Sequence, residues 1–290
     1  MAMQNAKHER LVTNIITLRR MIRSELDLAI EWAAAEGWNP GLQDANCFYA
    51  ADPEGFFVSF LDGKPAGAIS AVRYGLNFGF IGLFIVRPEH RGGRLGIQLG
   101  RAALEHLQGR NIGLDGVLKK VENYRAFGFR YAHKNIRFEG QGGGKDRGRC
   151  VPLSHFDFAE IAAYDTDMFG SERNEFLRAW LNQDNAVALG VKRSNDLAGY
   201  GVIRKCRVGY KIGPLFANSP EIAEDLLSDL TAQTAGSVFY MDVPEPNKAA
   251  LTLAQNRQMK EVFSTARMYS AEIPALPLGK IFGITTFELG

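Results

Sequence analysis

The stretch with the most chemistry in it is Arg91-Gly92-Gly93-Arg94-Leu95-Gly96. It follows an apolar, strand-like run, Phe78 to Val86, and the turn Arg87-Pro88-Glu89-His90. After it, Leu95, Leu99, Ala102, Ala103 and Leu107 recur at the three- and four-residue spacing of a helix with one packed face. Strand, Gly-rich loop and helix N-terminus together make an anion site, because unsatisfied backbone N–H groups converge there and the helix dipole favours negative charge. Glycines at 92, 93 and 96 let backbone approach a phosphate with no Cβ in the way. Pyrophosphate binding is the chemistry implied, and an ordinary turn before a helix is the bland alternative. Spacing excludes two familiar phosphate loops: there is no G-x-x-x-x-G-K-[ST] and no G-x-G-x-x-G in a βαβ unit.

The surrounding elements follow from periodicity and punctuation. Ile16 to Ile22 alternates like a half-buried strand, and Ser24, with Asp27 three residues on, is expected to cap a helix that stops at Gly37. Phe56 to Leu61 and Pro65 to Tyr74 form a hairpin about Asp62-Gly63-Lys64, and Phe78 to Val86 adds a third strand. Ile112 to Val117, Val121 to Phe127 and Phe129 to Phe138 read as strand, short helix and strand. Composition bounds the answer: 46% of 290 residues are hydrophobic and 34 Lys+Arg face 32 Asp+Glu, which excludes disorder and supplies no large basic field for nucleic acid. The polar start, Met1 to Arg10, is not a secretory signal, and no apolar run is long enough to span a bilayer, so a soluble, cytoplasmic protein is expected. Cys47, Cys150 and Cys206 lie far apart and read as reduced, packed thiols. The histidines show no metal-ligand spacing, so no metal is expected.

The order strand, helix, helix, three antiparallel strands, loop, helix resembles the GNAT superfamily of acetyl-CoA-dependent N-acetyltransferases. Arg91, Leu95 and Gly96 fit that family's [QR]-x-x-G-x-[GA] loop, while Arg94 stands where its first glycine usually lies. Tyr124-Arg125-Ala126-Phe127-Gly128-Phe129 matches its Y-x-x-x-G-F pattern. The resemblance implies that acetyl-CoA is the acyl donor. It implies that Ile85 and Val86 offer backbone groups to the pantetheine arm, and that Arg91, Gly92, Gly93, Arg94, Leu95 and Gly96 hold the pyrophosphate. Tyr124 would protonate the expelled thiolate, since a phenol near the sulfur can give up a proton; a packed ring with a satisfied hydroxyl is the alternative.

Gln141 to Arg149 is polar and glycine-dense, which marks a linker between residues 1–140 and 150–290. Beyond it the element order repeats. Cys150 to Leu153, Ala186 to Lys192, Leu197 to Lys205 and Val208 to Phe216 read as strands, and Asp157 to Phe169 as a helix. Ser219-Pro220 opens another helix, and Ser237 to Val243, Asn247 to Gln255 and Glu261 to Ile273 follow as strand, helix and strand. Ile212-Gly213-Pro214-Leu215-Phe216 is the counterpart of Ile81-Gly82-Leu83-Phe84, but Ala217-Asn218-Ser219-Pro220 replaces the Gly-rich loop and Ala254 falls opposite Tyr124. The expected architecture is thus α/β (α+β): two GNAT-like domains, each a mixed, mostly antiparallel twisted sheet flanked by helices. The first would be catalytic and the second a degenerate copy.

The expected reaction is transfer of an acetyl group to a primary amine of a small molecule, in a monomer or homodimer with no nucleic-acid or membrane partner. A non-catalytic CoA-binding sensor and a protein-lysine acetyltransferase are the competing readings. Trp38 is a candidate for the acceptor wall, and Asp167 with Arg173 could recognise ammonium or carboxylate groups if they face a cleft. No general base is identifiable; Glu36, Asp44 and Asp167 are guesses.

Overall fold

The structure is a computed structural model and describes residues 15–144 and 146–290; the polar start at Met1 to Arg10 lies outside them. The first half runs β1 (Ile16–Arg20), α1 (Arg23–Ala35), α2 (Asp44–Ala51), β2 (Phe56–Leu61), β3 (Lys64–Tyr74), β4 (Phe78–Val86), α3 (Arg94–His106), β5 (Asn111–Val117), α4 (Val121–Ala126) and β6 (Arg130–Gln141). The second runs β7 (Val151–Pro152), α5 (Phe158–Phe169), α6 (Asn174–Leu181), β8 (Ala186–Arg193), β9 (Asp196–Lys205), β10 (Tyr210–Ala217), α7 (Pro220–Ala232), β11 (Val238–Pro244), α8 (Lys248–Asn256), β12 (Lys260–Tyr269) and β13 (Ile281–Gly283). The order repeats, and so does fine detail. Phe129 N donates to Tyr124 O as Met259 N does to Ala254 O, and Gly128 and Gln258 both have positive φ.

Local chemistry accounts for most element ends. α7 starts where Ser219 Oγ accepts from Ile222 N and Pro220 takes the first turn. α1 starts earlier than Ser24 would place it: the Ile22 N–H donates to Glu25 Oε2 at 3.0 Å, so Glu25 supplies the capping contact. Within the expected linker, Gly143 N donates to Thr231 O, and Arg147 N and Arg149 N donate to the Asp229 carboxylate.

All the strands join one 13-stranded sheet in the order β1-β2-β3-β4-β5-β12-β6-β11-β10-β9-β8-β7, with β13 attached to β10. Pairing is mostly antiparallel; β4 with β5 and β10 with β11 are parallel. At the centre the last strands of the two repeats are exchanged. β12 of the second half pairs with β5 of the first, from Thr265 opposite Val117 to Tyr269 opposite Gly113. Reciprocally, β6 of the first half pairs with β11 of the second, from Val238 opposite Gln141 to Pro244 opposite Asn135. β6 and β12 pair with each other between them.

Three apolar cores flank the sheet. α3 packs on the first half through Leu99, Ala103 and Leu107, and α7 and α8 pack on the second through Leu226, Leu230 and Leu253. The opposite face carries one continuous core, in which α1, α2, α5 and α6 meet; Phe48 of α2 stacks on Trp180 of α6 at 6.4 Å between ring centroids. Into this shared layer the segment 281–290 inserts, every residue of it buried. A strand exchange of this kind leaves an unpaired edge if either half is removed. Residues 1–140 expressed alone should therefore aggregate or lack sheet structure by circular dichroism, and co-expression with residues 141–290 should restore a single species on size exclusion. A stable, monomeric first half would contradict the exchange.

Candidate functional site

β4 and β5 stay paired only from Phe78 opposite Asn111 to Ile81 opposite Leu114. Beyond that point they splay, and the gap is a cavity of about 110 Å³ lined by Ile81 to Phe84 of β4, Leu114, Asp115 and Val117 of β5, and Tyr124 of α4. The opening side of β4 is bulged: the three steps from Gly82 to Ile85 face only the two from Ser70 to Ala68, and Leu83 has φ +44°. A bulge of this kind turns backbone groups out of the ladder and toward the gap. In the second half the corresponding bulge on β10 contains Pro214, which has no N–H to offer.

Tyr124 reaches this slot because α4 lies against β5. A Cβ on Gly116 would come within 2.3 Å of Tyr124 Cε2, so the bare backbone at 116 is the surface on which the ring rests. Burial pushes the Tyr124 phenol up, which keeps it protonated at neutral pH and fit to donate.

The Gly-rich loop adjoins the same slot. α3 begins at Arg94 with Gly93 at its N-cap; Leu95 is buried, and a Cβ on Gly96 would be 3.7 Å from Phe84 and Val86 side chains. Gly92 has φ +80°, and neither it nor Gly93 has an atom closer than 3.8 Å to the position a Cβ would take, so the space before the helix start is open. Arg91 is already engaged: its Nε donates to Val86 O at 2.9 Å and its guanidinium pairs with Glu36. Val86 O therefore has a donor of its own. Ile85 is buried in the shared core.

The other expected residues separate. Trp38 lines the slot. Arg173 does not; it is buried with both Asp165 oxygens at 2.7 and 2.8 Å and Thr285 Oγ1 at 2.9 Å. Asp167 is exposed on α5 and lines neither cavity. Of the guessed bases, Asp44 is buried against Arg204, and Glu36 is paired with Arg91. Among the described residues there is no group of His, Cys, Asp and Glu arranged to hold a metal, and no helix is long and apolar enough to cross a membrane. The three cysteines are free, and burial pushes the Cys47 thiol up to about 12.

Sequence reasoning missed what the second half brings to the slot. Phe263 and Thr265 arrive on the exchanged strand β12, and Phe287 and Glu288 on the buried segment after β13. That segment crosses both bulges. A Cβ on Gly82 would fall 1.9 Å from Glu288 O, and one on Gly213 would fall 2.3 Å from Thr285 O. Tyr74 Oη donates to Leu289 O at 3.0 Å, and Leu289 N to Thr286 Oγ1 at 2.9 Å. The paired motifs Ile81-Gly82 and Ile212-Gly213 were the available signal, since a glycine inside a strand marks a close backbone approach. A second cavity of about 250 Å³ lies on the far side of the same segment, between its residues Ile284, Thr285 and Gly290 and the side chains of Phe78, His133 and Arg267.

Residues 21–129 match the sequence model described as the acetyltransferase (GNAT) family, and residues 161–283 match that of the acetyltransferase (GNAT) domain. The chain is 28% identical over 271 residues to a holothin acyltransferase of Pseudoalteromonas sp. (strain SANK 73390), covering 92% of each protein. Its fold is similar to that of a crystallised protein from Pyrococcus horikoshii assigned as an acetyltransferase: TM-score 0.83, 24% identity, 99% of this chain and 100% of that one. It is also similar to a tandem GNAT protein from the clavulanic acid biosynthesis pathway, with TM-score 0.61, 12% identity, and coverage of 90% and 100%.

Two outcomes test this geometry. Gly82→Ala drives a methyl group into the Glu288 backbone and should cost about 1–3 kcal/mol of stability, read as a lower midpoint of urea unfolding; an unchanged midpoint would mean the segment does not lie on β4. Burial, reinforced by Arg267, lowers His133 from 6.5 to about 4. The unfolded chain then binds more protons than the folded one between those values, so stability falls as pH drops from 6.5 toward 4. His133→Gln should flatten that limb of the Tm–pH curve, and identical limbs in both proteins would refute the burial.

Proposed function

Because the chain belongs to the GNAT family of acetyltransferases and carries the domain twice, we propose that it transfers an acetyl group from acetyl-CoA to a primary amine of a small molecule. The observation that carries this reading is the convergence of three features on one slot in the first half: the bulged β4, the open helix start at Gly92 and Gly93, and Tyr124.

In the proposed reaction the pyrophosphate of acetyl-CoA meets the backbone amides at the start of α3, with Arg94 beside them, and the pantetheine arm enters the splay between β4 and β5. Arg91, tied to Val86 O and Glu36, serves chiefly to hold the loop against α1. The neutral amine attacks the thioester carbonyl carbon. A C–N bond forms, the C–S bond breaks, and the electron pair leaves on sulfur. Backbone N–H groups freed at the β4 bulge stabilise the developing oxyanion. Tyr124 gives its proton to the thiolate and regains one from the acylated nitrogen. Two observations support a small acceptor over a protein lysine. The cavity is only about 110 Å³ and is walled on the second-half side by Phe263 and Phe287. The relative that aligns over 92% of its length is an acyltransferase named for holothin. The second half takes no part in holding the donor in this scheme, since Ser219-Pro220 and Ala254 stand where the loop and Tyr124 stand in the first.

Tyr124→Phe should lower kcat by roughly 10 to 10³ at unchanged acetyl-CoA affinity, measured by thiol release and calorimetry; full turnover would remove Tyr124 from the mechanism. Replacing Gly92 and Gly93 by Val should abolish acetyl-CoA binding, and retained affinity would overturn the phosphate assignment.

A further inference from the structure

The slot is lined by two carboxylates, and they are in opposite states. Asp115 is saturated: Arg267 donates to both of its oxygens at 3.1 and 2.6 Å, and Asn135 Nδ2 adds a bond of 2.8 Å. Glu288 is only 4% exposed, yet its Oε2 is buried with no hydrogen-bond partner among the described residues. A buried carboxylate oxygen without a hydrogen bond is costly, and a polar partner supplied by a ligand would remove that cost.

The backbone on either side of Glu288 is fixed, which holds the residue at the slot. Its carbonyl rests on Gly82, Phe287 lies under the Arg137 guanidinium at 4.6 Å, and Leu289 is bonded to Tyr74 and Thr286. Three buried cations, Arg137, Lys211 and Arg204, feel its charge, and none is bonded to it; Arg204 pairs with Asp44 at 2.8 Å and keeps its Nη1 without a partner among the described residues. Arg137 pairs with Asp242 at 2.6 Å, and Lys211 donates to Trp38 O at 3.1 Å. Lys211 feels Glu288 without touching it: burial lowers its ammonium and Arg137 lowers it further, while the charge of Glu288 pulls it back up.

We propose that Glu288, delivered from the segment after the second half's last strand, is the group that receives the acceptor's ammonium in the slot and takes its proton. This assignment rests on the acetyl-transfer reading above and supplies the base that reading lacks. The ammonium docks on the Glu288 carboxylate and passes one proton to it, leaving a neutral amine and a carboxylic acid. In a water-poor cavity this transfer is helped because it removes two charges at once. The amine then attacks the thioester as described, the thiolate and Tyr124 account for the second proton, and Glu288 returns the first to water. The degenerate half would thereby complete the site of the other copy.

The test compares wild type with Glu288→Gln, an isosteric change, in acetyl-CoA assays with two panels: primary alkylamines, which are ammonium ions at pH 7, and aryl amines, which are neutral there. Melting temperature and acetyl-CoA affinity are measured on both proteins. The expected result is unchanged affinity, kcat/KM for the best alkylamine lower by roughly 10² to 10³, and a loss for the best aryl amine at least tenfold smaller. An equal loss on both panels, or none, overturns the role of Glu288 while leaving acetyl transfer intact. Wild type that binds no acetyl-CoA and acetylates neither panel overturns the transfer reading, and this assignment falls with it.

Discussion

The exchange of last strands at the centre of the sheet is the constraint on which the rest of the molecule depends. β5 is the last strand of the first half's continuous run in the sheet, and it is β12 of the second half that covers its edge; β11 is covered in turn by β6. Backbone groups at a sheet edge need partners, so each half satisfies its ladder only through the other. The consequence reaches the chemistry directly. With β12 in place, Phe263 and Thr265 become walls of the slot between β4 and β5, and Arg267 arrives where it can neutralise Asp115. The chain leaving β12 then returns through β13 to cross both bulges.

Buried ion pairs repeat the pattern. Asp44 with Arg204, Arg137 with Asp242 and Asp115 with Arg267 each join a residue of one half to a residue of the other, with side chains at most 7% exposed. Such pairs add little net stability over apolar packing, because desolvation offsets the attraction. Breaking their geometry leaves an uncompensated buried charge. They therefore penalise any other docking of the halves, and they leave Glu288 as the slot's one carboxylate without a cation bonded to it. The contrast between Asp115 and Glu288 is a product of placement alone, since both are carboxylates in the same cavity.

The two copies differ at the points on which the proposed chemistry rests. Pro214 removes an N–H at the second bulge, Ala254 stands in place of Tyr124, and Ser219-Pro220 caps α7 without any glycine at the helix start. Packing positions kept their character, as Leu226 and Leu230 on α7 show beside Leu99 and Leu107 on α3. The second half thus retained the fold, lost the slot, and gained a structural claim on the first copy's slot through its exchanged strand and its last segment.

Much of this was legible before any coordinates. Apolar runs set off by turn residues marked β2, β3 and β4 to within a residue, because a turn such as Asp62-Gly63 is a local signal; Ser219-Pro220 marked α7 because capping chemistry is local too. The Gly-rich loop and Tyr124 stood out for the same reason: the roles proposed for them rest on residues adjacent in the chain. α2 and α6 were expected only as members of the element order and received no bounds, since each has only eight residues and buries its face against the other and not against a patterned neighbour. Arg173 and Asp167 read as residues that could face a cleft, yet Arg173 is core, paired with Asp165, and Asp167 is exposed, since burial is decided by what packs above them. What sequence alone determined was the repeat, its elements and the absence of the Gly-rich loop and of a Tyr124 counterpart from one copy. What only tertiary structure decided was which strand closes which edge and which distant carboxylate enters the slot, because pairings between residues as far apart as Gly82 and Glu288 are set by the closing of the whole sheet and leave no local pattern.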